Sequence, residues 1–103
     1  MTTAEFLKSL DGTFAQCLDT AQRKNADYAK EADPFNNFRL VEAMGVCDVQ
    51  TGIMVRLSDK FSRMGNLLKD GAVNEVKDES VDDTIRDAIN YLAILLAYRE
   101  SLR

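Results

Sequence analysis

The fold is decided by the longest apolar-periodic stretch of the chain, ESVDDTIRDAINYLAILLAY, which runs from Glu79 to Tyr98. Its apolar residues recur every three or four positions, which is the period of an α-helix packed on one side. From Ile89 onward the stretch is apolar on nearly every side, which indicates burial against other helices or a partner chain. We predict a helix that starts near Glu79 or Ser80, with a core stripe formed by Val81, Ile85, Ala88, Ile89, Leu92, Leu95 and Leu96.

The N-terminal segment shows the same helical period. Thr2 or Thr3 is placed to cap a first helix, and Glu5 is placed to complete a capping box. We expect this helix to run to about Ala29. Its predicted core stripe consists of Phe6, Leu7, Leu10, Phe14, Cys17, Leu18 and Ala21.

A loop and a short helix are predicted in the middle of the chain. Pro34 and the paired asparagines that follow it are typical of a loop or turn, which we place at Lys30–Phe38. A short helix is expected at Arg39–Met44, because Gly45 is a suitable residue to end it.

The next helix is expected to begin after Asp48, an N-cap residue. Its predicted core stripe consists of Ile53, Leu57, Phe61, Met64 and Leu68. Lys69–Asp78 is polar and contains Gly71, so it is predicted to be a loop. The sequence therefore predicts a single all-α domain over residues 1–103, a helical bundle of about four main helices with a short connecting helix.

Composition excludes several classes of protein. The 103 residues contain no histidine, which rules out serine–histidine triads and histidine-ligated zinc. Cys17 and Cys47 lack metal-type spacing and are too few for a disulfide scaffold, so we expect a reducing cytoplasm. The net charge of −4 argues against binding of a nucleic-acid polymer. No apolar run reaches membrane-spanning length and the start lacks a signal-peptide pattern, so we expect no membrane association.

An acidic ladder stands at the start of the last predicted helix. Glu79, Asp83 and Asp87 are four residues apart, which stacks three carboxylates on one helical face. Like charges at this spacing repel, whereas Mg²⁺ prefers several carboxylate oxygens. The alternative is that acids simply favour the positive end of a helix dipole, which explains the first two acids better than Asp87.

A second cluster, formed by Arg56, Asp59, Lys60 and Arg63, lies on the preceding helix. Asp59 and Arg63 are an i,i+4 pair, so an ordinary surface salt bridge is one interpretation. Next to the acidic ladder, Asp59 could instead add a metal ligand from a facing helix. Lys60 or Arg63 would then hold a phosphate.

A third cluster combines KNADY, from Lys24 to Tyr28, with FNNF, from Phe35 to Phe38. Its polar side chains could bind a phosphate, a ribose or a base edge, and Tyr28 could stack on a base. The alternative is a helix end followed by asparagines that cap a loop.

The order of these motifs resembles a known family. The matching segments are Lys24–Tyr28, Asp33–Phe38 (DPFNNF), Arg56–Arg63 (RLSDKFSR) and Lys77–Tyr91. The chain resembles the phage and bacterial family called nucleotide modification associated domain, type one. It also looks like a relative of the MazG-like all-α nucleoside triphosphate pyrophosphatases. The resemblance covers roughly residues 20 to 97.

The resemblance implies an all-α fold that handles nucleotides. MazG-like enzymes hydrolyse a nucleoside triphosphate to the monophosphate and pyrophosphate. They use Mg²⁺, for which Mn²⁺ can substitute, held by a Glu-x-x-Glu pair and a Glu-x-x-Asp pair on successive helices. They usually assemble as homodimers or homotetramers, with the sites near subunit contacts.

Carried over onto this chain, the resemblance implies a metal site formed by Asp59, Glu79, Asp83 and Asp87. Asp59, Glu79 and Asp83 would also be the catalytic residues. The chain departs from the family pattern, because Arg56 and Ser62 stand where a Glu-x-x-Glu would need a second acid. The expected substrate-binding residues are Lys24, Asp27, Tyr28, Asn36, Asn37, Lys60, Arg63 and Asn90.

Three hypotheses follow from these motifs. The first is a Mg²⁺-dependent pyrophosphohydrolase that acts on a nucleoside or deoxynucleoside triphosphate. The second, favoured by the missing Glu-x-x-Glu, is a non-catalytic module that binds or sequesters a nucleotide in a phage nucleotide-modification or anti-defence pathway. The third is a helical oligomerisation protein with a charged surface.

Overall fold

The computed structural model describes the backbone of residues 1–28, 33–69 and 75–103, and the side chains of residues 1–26, 33–69 and 80–103. Within these ranges the chain forms four helices and no strand, so the predicted all-α fold is confirmed. The helices are α1 (Thr3–Tyr28), α2 (Asn36–Ala43), α3 (Val49–Lys69) and α4 (Glu75–Ser101). No helix in the described ranges is both long enough and apolar enough to span a bilayer.

Local hydrogen bonds fix the helix ends that the sequence predicts. The Thr2 backbone N–H donates to Glu5 Oε2 at 2.9 Å, and the Glu5 N–H donates to Thr2 Oγ1 at 3.1 Å, which is a reciprocal capping box. Asp48 Oδ1 accepts the Thr51 N–H at 2.7 Å and caps α3. Gly45 follows the end of α2 with a φ of 79°, a left-handed conformation that glycine adopts without steric cost.

Two predicted boundaries are wrong. α2 begins at Asn36 rather than Arg39, because Asp33 Oδ1 accepts the Phe35 N–H at 3.0 Å and Asp33 O accepts the Asn36 N–H at 3.1 Å. The chain therefore turns into the helix before the asparagines. α4 begins at Glu75, within the segment predicted to be a loop. The predicted last residue of α1, Ala29, lies outside the described residues.

The core forms between α3 and α4, which pack as an antiparallel pair. Their direction is shown by two cross-helix contacts, Lys60 to Asp87 and Arg63 to Thr84, in which the residue number falls on α3 as it rises on α4. Val49 and Ile53 of α3 have no exposed surface. They pack in one cluster that also contains Phe35 and Tyr98.

Much of the predicted core is exposed. Within the described ranges, α1 packs on α4 and α2 packs on α3, and helical periodicity cannot reveal where such neighbours lie. In α1 every residue from 3 to 12 is exposed. The predicted core residues that are more than a third exposed are Phe6, Leu7, Leu10, Phe14, Leu18, Phe61, Leu68, Ile85, Leu92 and Leu96. Thr84 is buried instead, with its hydroxyl donating to Ser80 O at 2.6 Å.

The Asp48 cap should make stability depend on pH. The Thr51 N–H bond favours the charged carboxylate and lowers the pKa of Asp48 below its ordinary value of 3.8. This contribution is therefore complete above about pH 3.8 and is lost as the pH falls through the pKa of the folded state. We expect Asp48→Ala to lower the melting temperature at pH 7, and the difference from wild type to shrink below pH 4. Calorimetry measures this difference in melting temperature. A difference that stays constant with pH would contradict the role of the charge.

Candidate functional site

A groove of about 1110 Å³ opens between α1, α3 and α4 and is bounded by the segment from Pro34 to Val41. It lies on the side of the α3–α4 pair that α1 and α2 cover. Six of the residues predicted from the sequence to bind substrate or metal line this groove. They are Lys24, Asn36, Asn37, Lys60, Asp87 and Asn90.

One part of the groove is charged, and its centre is Asp87. Lys24 Nζ lies 3.6 Å from Asp87 Oδ1, and Lys60 Nζ lies 3.2 Å from Asp87 Oδ2, so three helices meet at one carboxylate. Arg56 also lines the groove. Among the described lining residues, three cations against one carboxylate give a net charge of +2, although the whole chain carries −4. The groove is therefore a cationic site on an anionic protein, which favours anionic ligands.

The other part of the groove is apolar. Phe38 and Cys47 lie over Gly52, since a Cβ placed there would be 3.5 Å from the Phe38 ring and 3.7 Å from Cys47 Sγ. Gly52 is eight residues before Lys60 on α3, which corresponds to about 12 Å at the rise of an α-helix. Further apolar lining comes from Phe35, Val41, Val46, Val55 and Ile94. The groove can therefore accept a molecule with an anionic group and an apolar group at separate positions.

The wall that contains Asn36 and Asn37 is fixed by its neighbours. Arg39 Nε lies 2.6 Å from Asp33 Oδ2, and its guanidinium lies 5.8 Å from the centroid of the Phe35 ring and 5.7 Å from that of Tyr98. The two rings meet edge to face with centroids 5.3 Å apart. These contacts hold the start of α2 against the end of α4.

Two of the predicted site residues on α3 lie in a different place. Asp59 and Arg63 line a separate shallow depression with Ser62, Asn66 and Leu67. Asp59 is next to Lys60 in sequence, but only Lys60 lines the groove. Arg63 Nε donates to the buried Thr84 hydroxyl at 3.2 Å, which links α3 to α4.

The acidic ladder divides between two environments. Asp87 faces the two lysines, whereas the Asp83 side chain is 75% exposed and pairs with Arg86 at 3.1 Å. Among the side chains that the structure describes, no three acidic or cysteine residues lie close enough to hold a metal ion. The described acids therefore do not fit Mg²⁺ by themselves. The side chain of Glu79 lies outside the described residues, as do those of Asp27 and Tyr28.

Other groove residues were not predicted as site residues. Gln22 on α1 and Tyr91 on α4 contribute polar groups to the lining, as does Asn25, which was noted only as part of the KNADY cluster. Tyr91 follows Asp87 at an i,i+4 spacing, which places both on one face of α4 and is the signal that could have identified it. Arg56 was noted in its charged cluster without a role.

Comparison with known proteins gives no match to a protein-family model, to a curated protein or to a solved structure. The function must therefore be inferred from the chemistry of the groove. Its components are two lysines that share a carboxylate, several amide side chains and an apolar region.

Proposed function

We propose that this protein binds a nucleotide in the groove between α1, α3 and α4. The single observation that supports the proposal most is the meeting of Lys24 and Lys60 at Asp87, inside a groove whose described lining residues have a net positive charge. Two ammonium groups from different helices can donate to the oxygens of one phosphate chain. Arg56 adds a third cation along the same wall.

The remaining lining suits the rest of a nucleotide. The amides of Asn36, Asn37 and Asn90 each offer a donor and an acceptor, which is what the polar edge of a base or a sugar hydroxyl requires. The apolar region near Phe38 and Val55 suits the faces of a flat ring. The resemblance to the nucleotide modification associated domain also supports a nucleotide over other organic anions.

A panel of ligands tests the proposal. Isothermal titration should give a Kd below about 100 μM for at least one ribo- or deoxynucleotide. The Kd of the triphosphate should be lower than that of the nucleoside. Inorganic pyrophosphate and unphosphorylated nucleosides separate the contributions of charge and ring. If pyrophosphate bound as tightly as every nucleotide, the groove would be a simple anion site. If no nucleotide bound at 1 mM, the proposal would be refuted.

Hydrolysis to a nucleoside monophosphate and pyrophosphate is the second candidate function. It is favoured by the position of Asp87, whose carboxylate faces the groove beside both lysines. Because the described acids do not form a metal site, we propose no hydrolytic step. The same nucleotide panel, incubated with and without Mg²⁺ or Mn²⁺ and separated by anion exchange, decides between the two. If the nucleotides stay intact, the protein is a module that binds or sequesters its ligand.

Replacing Asp87 should have different effects under the two candidates. In a binding module, Asp87→Asn removes the negative charge that competes with the ligand for Lys24 and Lys60, so metal-free affinity for a triphosphate should rise about 3- to 10-fold. In a hydrolase the same change should abolish turnover. Asp83→Asn, on the same helix but largely exposed, is the matched control and should leave affinity unchanged. A metal-free loss of affinity in Asp87→Asn would contradict the competition between ligand and carboxylate.

A further inference from the structure

Gly52 lines the apolar part of the groove without contributing a side chain to it. It is the fourth residue of α3, and its backbone N–H donates to Asp48 O at 3.0 Å, which is the bond of an ordinary α-helix. Among the glycines that the structure describes, the positive φ belongs to Gly45, so the backbone of Gly52 does not require glycine. Glycine inside a helix is also less stabilising than alanine. The local structure of α3 therefore favours a residue with a side chain at this position.

The packing of α2 on α3 does not require glycine at residue 52 either. A Cβ placed there would lie 3.5 Å from the Phe38 ring and 3.7 Å from Cys47 Sγ, and both are ordinary van der Waals distances. A methyl group would therefore fill space beside these two groove residues without displacing either of them. The described fold does not account for the missing side chain, whereas a ligand that needs the space would.

The apolar part of the groove that contains Gly52 is open to solvent. Val46 and Val55 also line the groove, and they are 68% and 52% exposed. A flat ring that lay on the bare backbone of residue 52 would cover such apolar surface from water. Glycine permits the closest approach of a ring to a backbone, because no Cβ stands between them. The shape and the polarity of this region therefore suit a planar ring.

Two cations share the face of α3 on which Gly52 lies. Arg56 and Lys60 follow it at successive four-residue spacings, and all three residues line the groove. At the rise of an α-helix, Arg56 lies about 6 Å and Lys60 about 12 Å from Gly52 along the helix axis. A ligand that extends along this face would place its ring at Gly52 and its phosphates at the cations.

We infer that Gly52 is a specificity-determining residue of the groove: its missing side chain leaves the space in which the base of the ligand lies flat against the backbone of α3. The inference rests on the proposed nucleotide binding and adds to it the end of the groove that receives the base. A side chain at residue 52 would occupy the position of the ring and leave the phosphate-binding lysines untouched. The groove thereby selects a phosphate ester that carries a planar ring over an anion that carries none.

The variant Gly52→Ala tests the inference, because stability and affinity should change in opposite directions. Its melting temperature without ligand should rise by about 2–6 °C, since alanine replaces a helical glycine. Its Kd for the tightest-binding nucleotide of the panel, measured by isothermal titration, should rise at least ~10-fold, because the methyl group occupies the position of the base. Its Kd for inorganic pyrophosphate, which has no ring, should stay within about twofold of the wild-type value.

Gly65→Ala is the matched control, because it replaces another glycine of α3. Gly65 is not among the described lining residues of the groove, and a Cβ placed there would stand in open space with respect to the rest of the described structure. The change should raise the melting temperature for the same reason and leave both Kd values unchanged. Comparison of the two variants separates the effect on helix stability from the effect on the groove.

Three results would overturn the role of Gly52. A lower melting temperature for Gly52→Ala would show that the fold itself requires glycine. Equal losses of affinity for the nucleotide and for pyrophosphate would show that residue 52 acts on the phosphate site. Unchanged nucleotide affinity in Gly52→Ala would overturn the role of Gly52 and leave the proposed function standing. If the wild-type chain binds no nucleotide, the proposed function fails and the role of Gly52 fails with it.

Discussion

The double variant Lys24→Met, Lys60→Met should bind a nucleoside triphosphate at least ~100-fold more weakly than the wild-type protein. Each lysine is proposed to donate a charge-assisted hydrogen bond to a phosphate oxygen, and such a bond contributes about 1.5–3 kcal/mol. The two side chains come from different helices and converge on Asp87, so one phosphate chain can contact both. Isothermal titration against the best nucleotide of the panel measures the change.

Two controls separate a lost contact from an altered charge. Lys8→Met makes the same substitution on the exposed, distant part of α1 and should change affinity less than about twofold. The triple variant Lys24→Met, Lys60→Met, Asp87→Asn removes the carboxylate that the double variant leaves unpaired. If the triple variant recovered wild-type affinity, the lysines would serve only to neutralise Asp87, and the proposed phosphate contacts would be wrong.

Ile53→Ala should destabilise the fold by about 2–5 kcal/mol, the usual cost of removing a buried isoleucine side chain. Ile53 has no exposed surface and packs in the cluster with Phe35, Val49 and Tyr98. The same cluster fixes the wall of the groove, so the variant should also lose nucleotide affinity where it remains folded. Urea unfolding at a fixed protein concentration measures the first effect.

Leu40→Ala is the matched control for this loss of core packing. Leu40 is 58% exposed on α2, so truncating it leaves no enclosed cavity. Its expected effect is within about 0.5 kcal/mol. Equal destabilisation by the two substitutions would mean that Ile53 does not form the packing centre of the α3–α4 pair.

The helix ends that were predicted correctly are determined by short-range hydrogen bonds. The Thr2–Glu5 capping box, the Asp48 cap and the glycine after α2 all involve partners within three residues or a single backbone angle. The two boundary errors have different origins. Asp33 starts α2 through a turn that involves its own side chain, and polar residues such as those after Glu75 are compatible with a helix even though they resemble a loop.

Core membership was less predictable, since periodicity identifies an apolar face but not what covers it. Phe61 and Leu57 belong to the same predicted stripe, yet Leu57 is buried and Phe61 is 54% exposed. The difference depends on where α1 and α2 pack, which is a tertiary property. The same limit explains why the N-terminal half of α1 was predicted to be packed.

The candidate site was predictable as a set of residues but not as a geometry. Lys24, Lys60 and Asp87 were each identified from local clusters, and the fold brings them together from three helices. Asp59 and Lys60 were assigned to one site, although only Lys60 lines the groove. Whether residues on separate helices meet is set by packing, which no local motif specifies.

α4 also fixes a distance along the groove. Asp87 and Ala97 line the groove at separate points along this one helix, and ten residues of α-helix span about 15 Å. A rigid helix cannot shorten that distance, and substitutions that change the size of side chains on the opposite wall of the groove do not alter it. In the proposed binding mode, the backbone of α4 therefore sets the distance between the anionic and apolar parts of the ligand. Substitutions can change the side chains at each end of the groove without changing that distance.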